Sequence, residues 1–129
     1  MQAALRSPER VTVNEAAETF HISRNHLVKV VHDLGKAGYL ATRRGIGGGF
    51  TLARRPEEIG LGDAVRLGEG SGVVINCRDH KRQLCRIFQA CRLKGVLDEA
   101  ADAFFAVLDR YTLADLLKQS SKMRTVLGI

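Results

Sequence analysis

The chain has three cysteines, Cys77, Cys85 and Cys91, and all of them fall in one polar stretch, residues 76–91. A buried core does not gather thiols in this way; a site that binds or senses something does. Arg78, His80, Lys81, Arg82 and Arg86 share the stretch, and Arg92 follows it. Positive surroundings favour thiolate over thiol, and thiolate is the form that ligates metals and reacts with oxidants. Seven residues separate Cys77 from Cys85 and five separate Cys85 from Cys91. Zinc sites usually take their ligands from closely spaced pairs on tight knuckles, which these gaps do not supply. Iron–sulfur clusters, held by cysteine thiolates, accept looser loops.

Three thiolates leave a four-point ligand set one short. Asp79 and His80 lie within the stretch; solvent, a residue of a partner subunit and a residue upstream of Met1 are the other options. A cluster with incomplete thiolate ligation is more reactive, which suits a sensor better than an electron carrier. The odd count of cysteines argues against a disulfide framework, as does the reducing interior in which the chain is expected to reside.

That expectation comes from composition. At 129 residues, 45% hydrophobic and 26% charged, the chain reads as one domain or one domain with an appendage. It shows no apolar run of membrane-spanning length and no signal-peptide pattern, so a cytoplasmic protein is expected. The formal net charge of +6 gives a field that attracts polyanions.

The elements that must position the thiols follow from spacing. Residues 1–5 read as the last turn of a helix and are followed by a breaker at Ser7-Pro8, which suggests that part of the chain precedes Met1. Thr12 and Glu15 form a capping-box pattern that predicts a short helix through about Phe20. His21 and Ile22 make a turn, and Ser23 is placed to cap a second helix with apolar positions Leu27, Val30, Val31 and Leu34. Its other face carries Arg24, Asn25, His26, Lys29, His32, Asp33 and Lys36, and Gly38 suits a left-handed end. Two short helices joined by a tight turn, the second basic outward, have helix-turn-helix geometry. Residues 39–42 and 50–53 are strand-like, and the run RRGIGGG at 43–49 between them makes a hairpin with a flexible cationic tip, a wing. Its glycines do not match the G-x-G-x-x-G phosphate-binding spacing, and they sit between strands, not before a helix.

Further on, residues 61–67 predict a short helix, Gly68, Gly70 and Gly72 a connection into Val73, Val74 and Ile75, and a long helix begins near Gln89. Leu93, Leu97, Ala100, Phe104, Val107 and Tyr111 step along that helix in a heptad-like seam that Ala101, Phe105 and Leu108 widen. A two-fold dimer interface is the favoured use of the seam, packing back onto the same chain the alternative. Thr112 begins a last short helix over 113–118, and the tail from Ser120 is expected to fray.

The helix-turn-helix defines the task. Ser23, Arg24, Asn25 and His26 sit at the head of the second helix, where side chains reach base edges in the major groove. Arginine and asparagine suit the paired acceptors and donors of guanine and adenine. Lys29 and Lys36 suit phosphates. On the wing, Arg43 and Arg44 suit a narrow minor groove, with Gly45 and its neighbours permitting close approach. A solvated basic helix face would have the same composition; the adjacent cationic wing counts against that reading.

Assembled, these pieces resemble the winged-helix iron–sulfur regulators, the family that includes the NsrR-type and IscR-type regulators. The matching stretches are ISRNHLVKVV at 22–31, RGIGGG at 44–49, LGDAV at 61–65, CRLK at 91–94 and LDRYTLADL at 108–116. The resemblance runs from Val11 to Leu117, and the first and last of these stretches point to the NsrR-type branch. It implies a homodimer whose Cys77, Cys85 and Cys91 hold a 4Fe–4S or 2Fe–2S cluster, which represses genes of nitric oxide detoxification and releases DNA when nitric oxide destroys the cluster. In that family an aspartate from the first helix of the other subunit can be the fourth ligand. This sequence departs there, because that helix would precede Met1, and its gap before Cys85 is wider than usual.

The expectation is therefore a mainly α protein with a small β-hairpin wing: a winged helix-turn-helix over 1–68, a cysteine-bearing cluster loop over 69–91, and a dimerisation helix with its tail over 92–129. Its partners would be double-stranded DNA with a palindromic operator, a second copy of itself and nitric oxide as signal, without a membrane. An IscR-like or thiol-based redox regulator is the alternative within the class, and a small iron–sulfur electron carrier the alternative outside it. No nucleophile with a base and orienter points to an enzyme.

Overall fold

The computed structural model describes residues 1–69 and 86–129. Cys77, Cys85, Gly70, Gly72 and the apolar run 73–75 lie outside the described residues. The chain forms two compact units, one of residues 1–59 and 112–129, the other of residues 60–111. Among the described residues no helix is long and apolar enough to cross a membrane.

The first unit opens with α1 (Gln2–Leu5) and α2 (Val13–Phe20). The capping box read from the sequence is present: Glu15 N–H donates to Thr12 Oγ1 at 3.1 Å and Thr12 N–H to Glu15 Oε2 at 2.7 Å. Two of the otherwise orphaned donors at the helix start are thereby satisfied. Those same bonds, and Arg6, hold the Glu15 carboxyl below its ordinary value. His21 closes α2 in the left-handed conformation, and α3 (Arg24–Lys36) follows at once. Ser23 occupies the N-cap position, but its side chain makes no cap hydrogen bond; only its carbonyl is used, by the Leu27 N–H at 3.0 Å. Of the apolar stripe on α3, Val31 is buried, and Leu27, Val30 and Leu34 are half-buried.

Strand β1 (Leu40–Arg43) pairs antiparallel with β2 (Gly49–Leu52), in the register Leu40 to Leu52 and Arg43 to Gly49. Val11 extends this hairpin by exchanging two backbone hydrogen bonds with Phe50, at 3.0 and 2.8 Å. Gly49 is required there: at φ +148°, any Cβ would lie 2.6 Å from the Val11 carbonyl oxygen. The core behind the hairpin is Ala3, Val11, Ala16, Val31 and Phe50, with Val13, Leu27, Leu40 and Leu52 packed around it. The tip forms a defined turn. Gly48 N–H bonds to the Gly45 carbonyl at 2.9 Å, closing a four-residue turn with Gly47 at φ +71°.

The unit is completed by a 3-10 turn (Pro56–Glu58) packed on α6 (Leu113–Leu116), with Leu113 N–H on the Ile59 carbonyl at 2.8 Å. A second capping box, Thr112 with Asp115, starts α6, which is shorter than the expected 113–118. The tail does not fray: α7 (Ser120–Leu127) is helical, and it ends at a left-handed Gly128 that returns the Ile129 N–H to the Arg124 carbonyl at 3.1 Å. Met123, Val126 and Leu127 give this polar segment an apolar face, which lines a cavity of about 300 Å³ with Leu5 and Phe20. That tertiary contact was invisible in a short segment of weak periodicity.

The second unit is α4 (Leu61–Glu69) against α5 (Arg92–Leu108). Residues 86–90 are turns, so α5 begins three residues later than Gln89. Ala101 and Phe105 are its buried residues. Arg66 grips Asp109 bidentately, Nη1 to Oδ1 at 2.7 Å and Nη2 to Oδ2 at 2.6 Å, while its guanidinium lies 4.4 Å from the centre of the Phe105 ring. The carboxylate comes so close to Gly62 that a methyl group there would collide with it.

Candidate nucleic-acid interface and metal ligands

In the first unit, the faces of α2, α3 and the wing enclose an open groove of about 540 Å³. Three charged side chains picked from the sequence, Arg24, Arg43 and Arg44, line it together with Gly45. Ser23, Asn25, His26 and Lys29 are exposed on α3 but do not line the groove. The hairpin register places Arg43 opposite Gly49, so the cationic end of β1 faces a residue with no side chain. Ile46, at the first corner of the tip turn, is fully exposed.

Sequence reasoning missed several groove residues: Thr12, Val13 and Asn14 from the head of α2, Val28 from α3, and Thr42 from β1; His32, read on the outward face of α3, lines the groove as well. Val28 is 43% exposed, an apolar position on the outward face of an otherwise polar helix, and that mismatch was a legible signal. Asn14 carried none. Its Oδ1 accepts a 2.8 Å hydrogen bond from Arg24 Nε, across ten positions of sequence, and only the crossing of α2 with α3 brings the two together. A groove lined by three guanidinium groups offers charged hydrogen-bond donors to an anionic partner.

Of the three candidate metal ligands, Cys91 is the one among the described residues. It is a free, half-buried cysteine at the N-cap of α5, and its side chain makes no cap hydrogen bond. A soft thiol donor uncommitted to the helix start fits a role as an iron–sulfur ligand. Lys94, one turn into α5, is held by Asp98 at 2.7 Å and lies 5.4 Å from the centre of the Phe88 ring. Among the described residues, no group of three or more His, Cys, Asp or Glu side chains is placed to hold a metal ion; Cys77 and Cys85 lie outside that set.

The expected dimer seam divides by face. Phe105 and Ala101, which were expected only to widen it, are buried within the unit. Leu93, Phe104, Val107 and Tyr111 are exposed by 45–61%, with Val96 at 60%; Ala100 is exposed and Leu97 half-buried.

Comparison with known proteins places these features. Residues 1–119 match the Rrf2 family, described as an iron-dependent transcriptional regulator. The chain is similar to the HTH-type transcriptional regulator NsrR of Bacillus subtilis, 45% identical over 125 residues that cover 97% of this chain and 86% of the relative. It is 43% identical to the corresponding regulator of Geobacillus kaustophilus over 124 residues, 96% of this chain and 84% of that one. Among solved structures, T. potens IscR superposes with a TM-score of 0.66 at 28% identity, covering 95% of this chain and 83% of the other. The oxidized form of Staphylococcus aureus CymR superposes with a TM-score of 0.67 at 27% identity, covering 90% and 83%. With its helix-turn-helix, its wing and a family match over nearly its full length, the chain belongs to the Rrf2 family of transcriptional regulators.

Proposed function

We propose that this regulator is a homodimeric repressor that binds a palindromic operator and senses nitric oxide through an iron–sulfur cluster, 4Fe–4S or 2Fe–2S, held by Cys77, Cys85 and Cys91. The observation that carries this reading is the position of Cys91: an uncommitted thiol at the head of α5, the helix whose outward apolar stripe has no partner among the described residues of its unit. The similarity to NsrR regulators over almost the whole chain supports it. When bound, the cluster supplies iron that reacts with nitric oxide.

The chain's own residues do the rest. Ser23, Arg24, Asn25, His26 and Lys29 meet the major groove, and Arg43, Arg44 and Gly45 the minor groove. Leu93, Leu97, Ala100, Phe104, Val107 and Tyr111 pack against the same residues of a second copy, as a two-fold interface requires. Ligation by Cys91 pins the start of α5 and so fixes the spacing of two recognition helices for successive major grooves; loss of ligation shifts the population toward spacings that do not fit.

The test is an anaerobic absorption spectrum and an operator titration at one salt concentration, before and after nitric oxide. A broad visible band bleached by the gas, with DNA affinity falling in step, is expected. Equal binding by cluster-loaded and cluster-free protein would overturn the sensor reading. A protein that stays colourless after reconstitution would favour thiol-based regulation, the reading to which the likeness to CymR, solved in an oxidized form, lends weight.

A further inference from the structure

We propose that Asn14, on α2, is a positioning residue that presents Arg24 of α3 for base readout, an inference that rests on the DNA-binding role proposed above. Arg24 is exposed, and an exposed arginine samples many rotamers and gives up that freedom when it binds. Here one of its three nitrogens is already committed: Nε donates to Asn14 Oδ1 at 2.8 Å. Among the described residues, neither terminal nitrogen of Arg24 has a further hydrogen-bond partner.

Which nitrogen is tied decides what is left. A guanidinium held at Nε keeps its plane and offers the Nη1–Nη2 end, a two-donor fork matched to the O6 and N7 acceptors of guanine. Had Asn14 taken a terminal nitrogen, the fork itself would be occupied. Asn14 is at the second position of α2, a site bracketed by the Thr12–Glu15 capping box. Both residues line the same groove as Arg43 and Arg44. Arg24 is thus aimed from the neighbouring helix, so part of the reading geometry is built outside the recognition helix.

The test uses the full-length, cluster-loaded protein and a library of DNA duplexes with a randomised centre. The best selected duplex and an unrelated duplex are then titrated at one salt concentration. Asn14→Ala is expected to bind the selected duplex about three- to tenfold more weakly, the cost of immobilising one long side chain, with unrelated DNA bound as before. In the Arg24→Ala background, Asn14→Ala should have no further effect, whereas Asn14→Asp, which keeps the acceptor, should retain the base preference that Arg24→Ala loses. Without DNA, the Arg24 Nε–H resonance should be protected from solvent exchange in the wild type and lose that protection in Asn14→Ala. Equal losses on both duplexes, an undiminished effect in the Arg24→Ala background, or an unchanged Nε–H resonance would each overturn the proposal. If the wild-type protein enriches no sequence at all, the DNA-reading role falls and takes this inference with it; if it enriches one and Asn14→Ala is neutral, this inference alone falls.

Discussion

The two units solve the problem of burial differently. In the first, small and medium side chains from α1, α2, α3 and the hairpin converge on Phe50 and Val11, and the unit closes its core with its own residues. In the second, two helices meet over Ala101 and Phe105, while Leu93, Val96, Phe104, Val107 and Tyr111 remain in contact with solvent. A pair of helices cannot surround an apolar side chain on every side, and an apolar patch of that kind marks an interaction surface. Among the described residues, the first unit covers its core from several sides, whereas the helical unit leaves an apolar face open. The ion pairs follow the same division of labour. In the first unit they pin chain ends and caps; in the second the Arg66–Asp109 pair ties α4 to the end of α5 at the surface.

Substitutions can break this contrast or sharpen it. The largest effect is expected from Phe50→Ala, which empties the centre of the first core and should cost about 3–5 kcal/mol in urea unfolding, with no dependence on protein concentration. A concentration-dependent loss would mean that this core is not self-sufficient. Phe104→Asp should leave each protomer folded and weaken self-association by roughly thirtyfold or more in sedimentation equilibrium, as expected for the loss of an interfacial aromatic anchor. An unchanged oligomeric state would send the apolar stripe in search of another partner.

Two glycines of the second unit should then behave oppositely. Gly62→Ala forces a methyl group into the Asp109 carboxylate and should destabilise by about 1–3 kcal/mol. Gly95→Ala meets nothing within 4 Å and should stabilise α5 by about 0.5–1 kcal/mol. Thermal unfolding of the two variants side by side checks the sign of each.

The smallest effect is acidic. Lys118, with the Thr112 backbone and hydroxyl, holds the Asp115 carboxyl at about 2, against an ordinary value of 3.8, and Arg66 holds Asp109 low. A carboxyl depressed in the folded state stabilises above its ordinary value, and that stabilisation is lost as the pH falls through the folded value. The urea midpoint should therefore be flat near neutrality and decline between about 4 and about 2. Asp115→Asn should remove the part of that decline that belongs to Asp115 and leave the part that belongs to Glu15 and Asp109.

Much of the first unit was legible because its signals are local. The Thr12–Glu15 box is a four-residue pattern, Thr112 marked the start of a helix, and the hairpin announces itself by its glycine run between strand-like segments. The division of α5 into an inner and an outer face was only half legible: the spacing predicts an apolar helix, but Gly62, which lets the Asp109 carboxylate approach, and Arg66, which covers the Phe105 ring, are contacts from α4. The Asn14–Arg24 bond and the apolar face of α7 were not legible, since each is a contact between elements whose own patterns give no sign of the other.

The tip of the wing also limits how this architecture can vary. Its turn is closed backbone to backbone, from Gly48 to Gly45, and glycines stand at 45, 47, 48 and 49. Added side chains at 48 and 49 would press into backbone carbonyls. Ile46 is the one place in that run with a side chain, and it is wholly exposed. A wing built on this turn has, in effect, a one-letter alphabet with one slot: the exposed side chain at position 46 can be exchanged without rebuilding the hairpin.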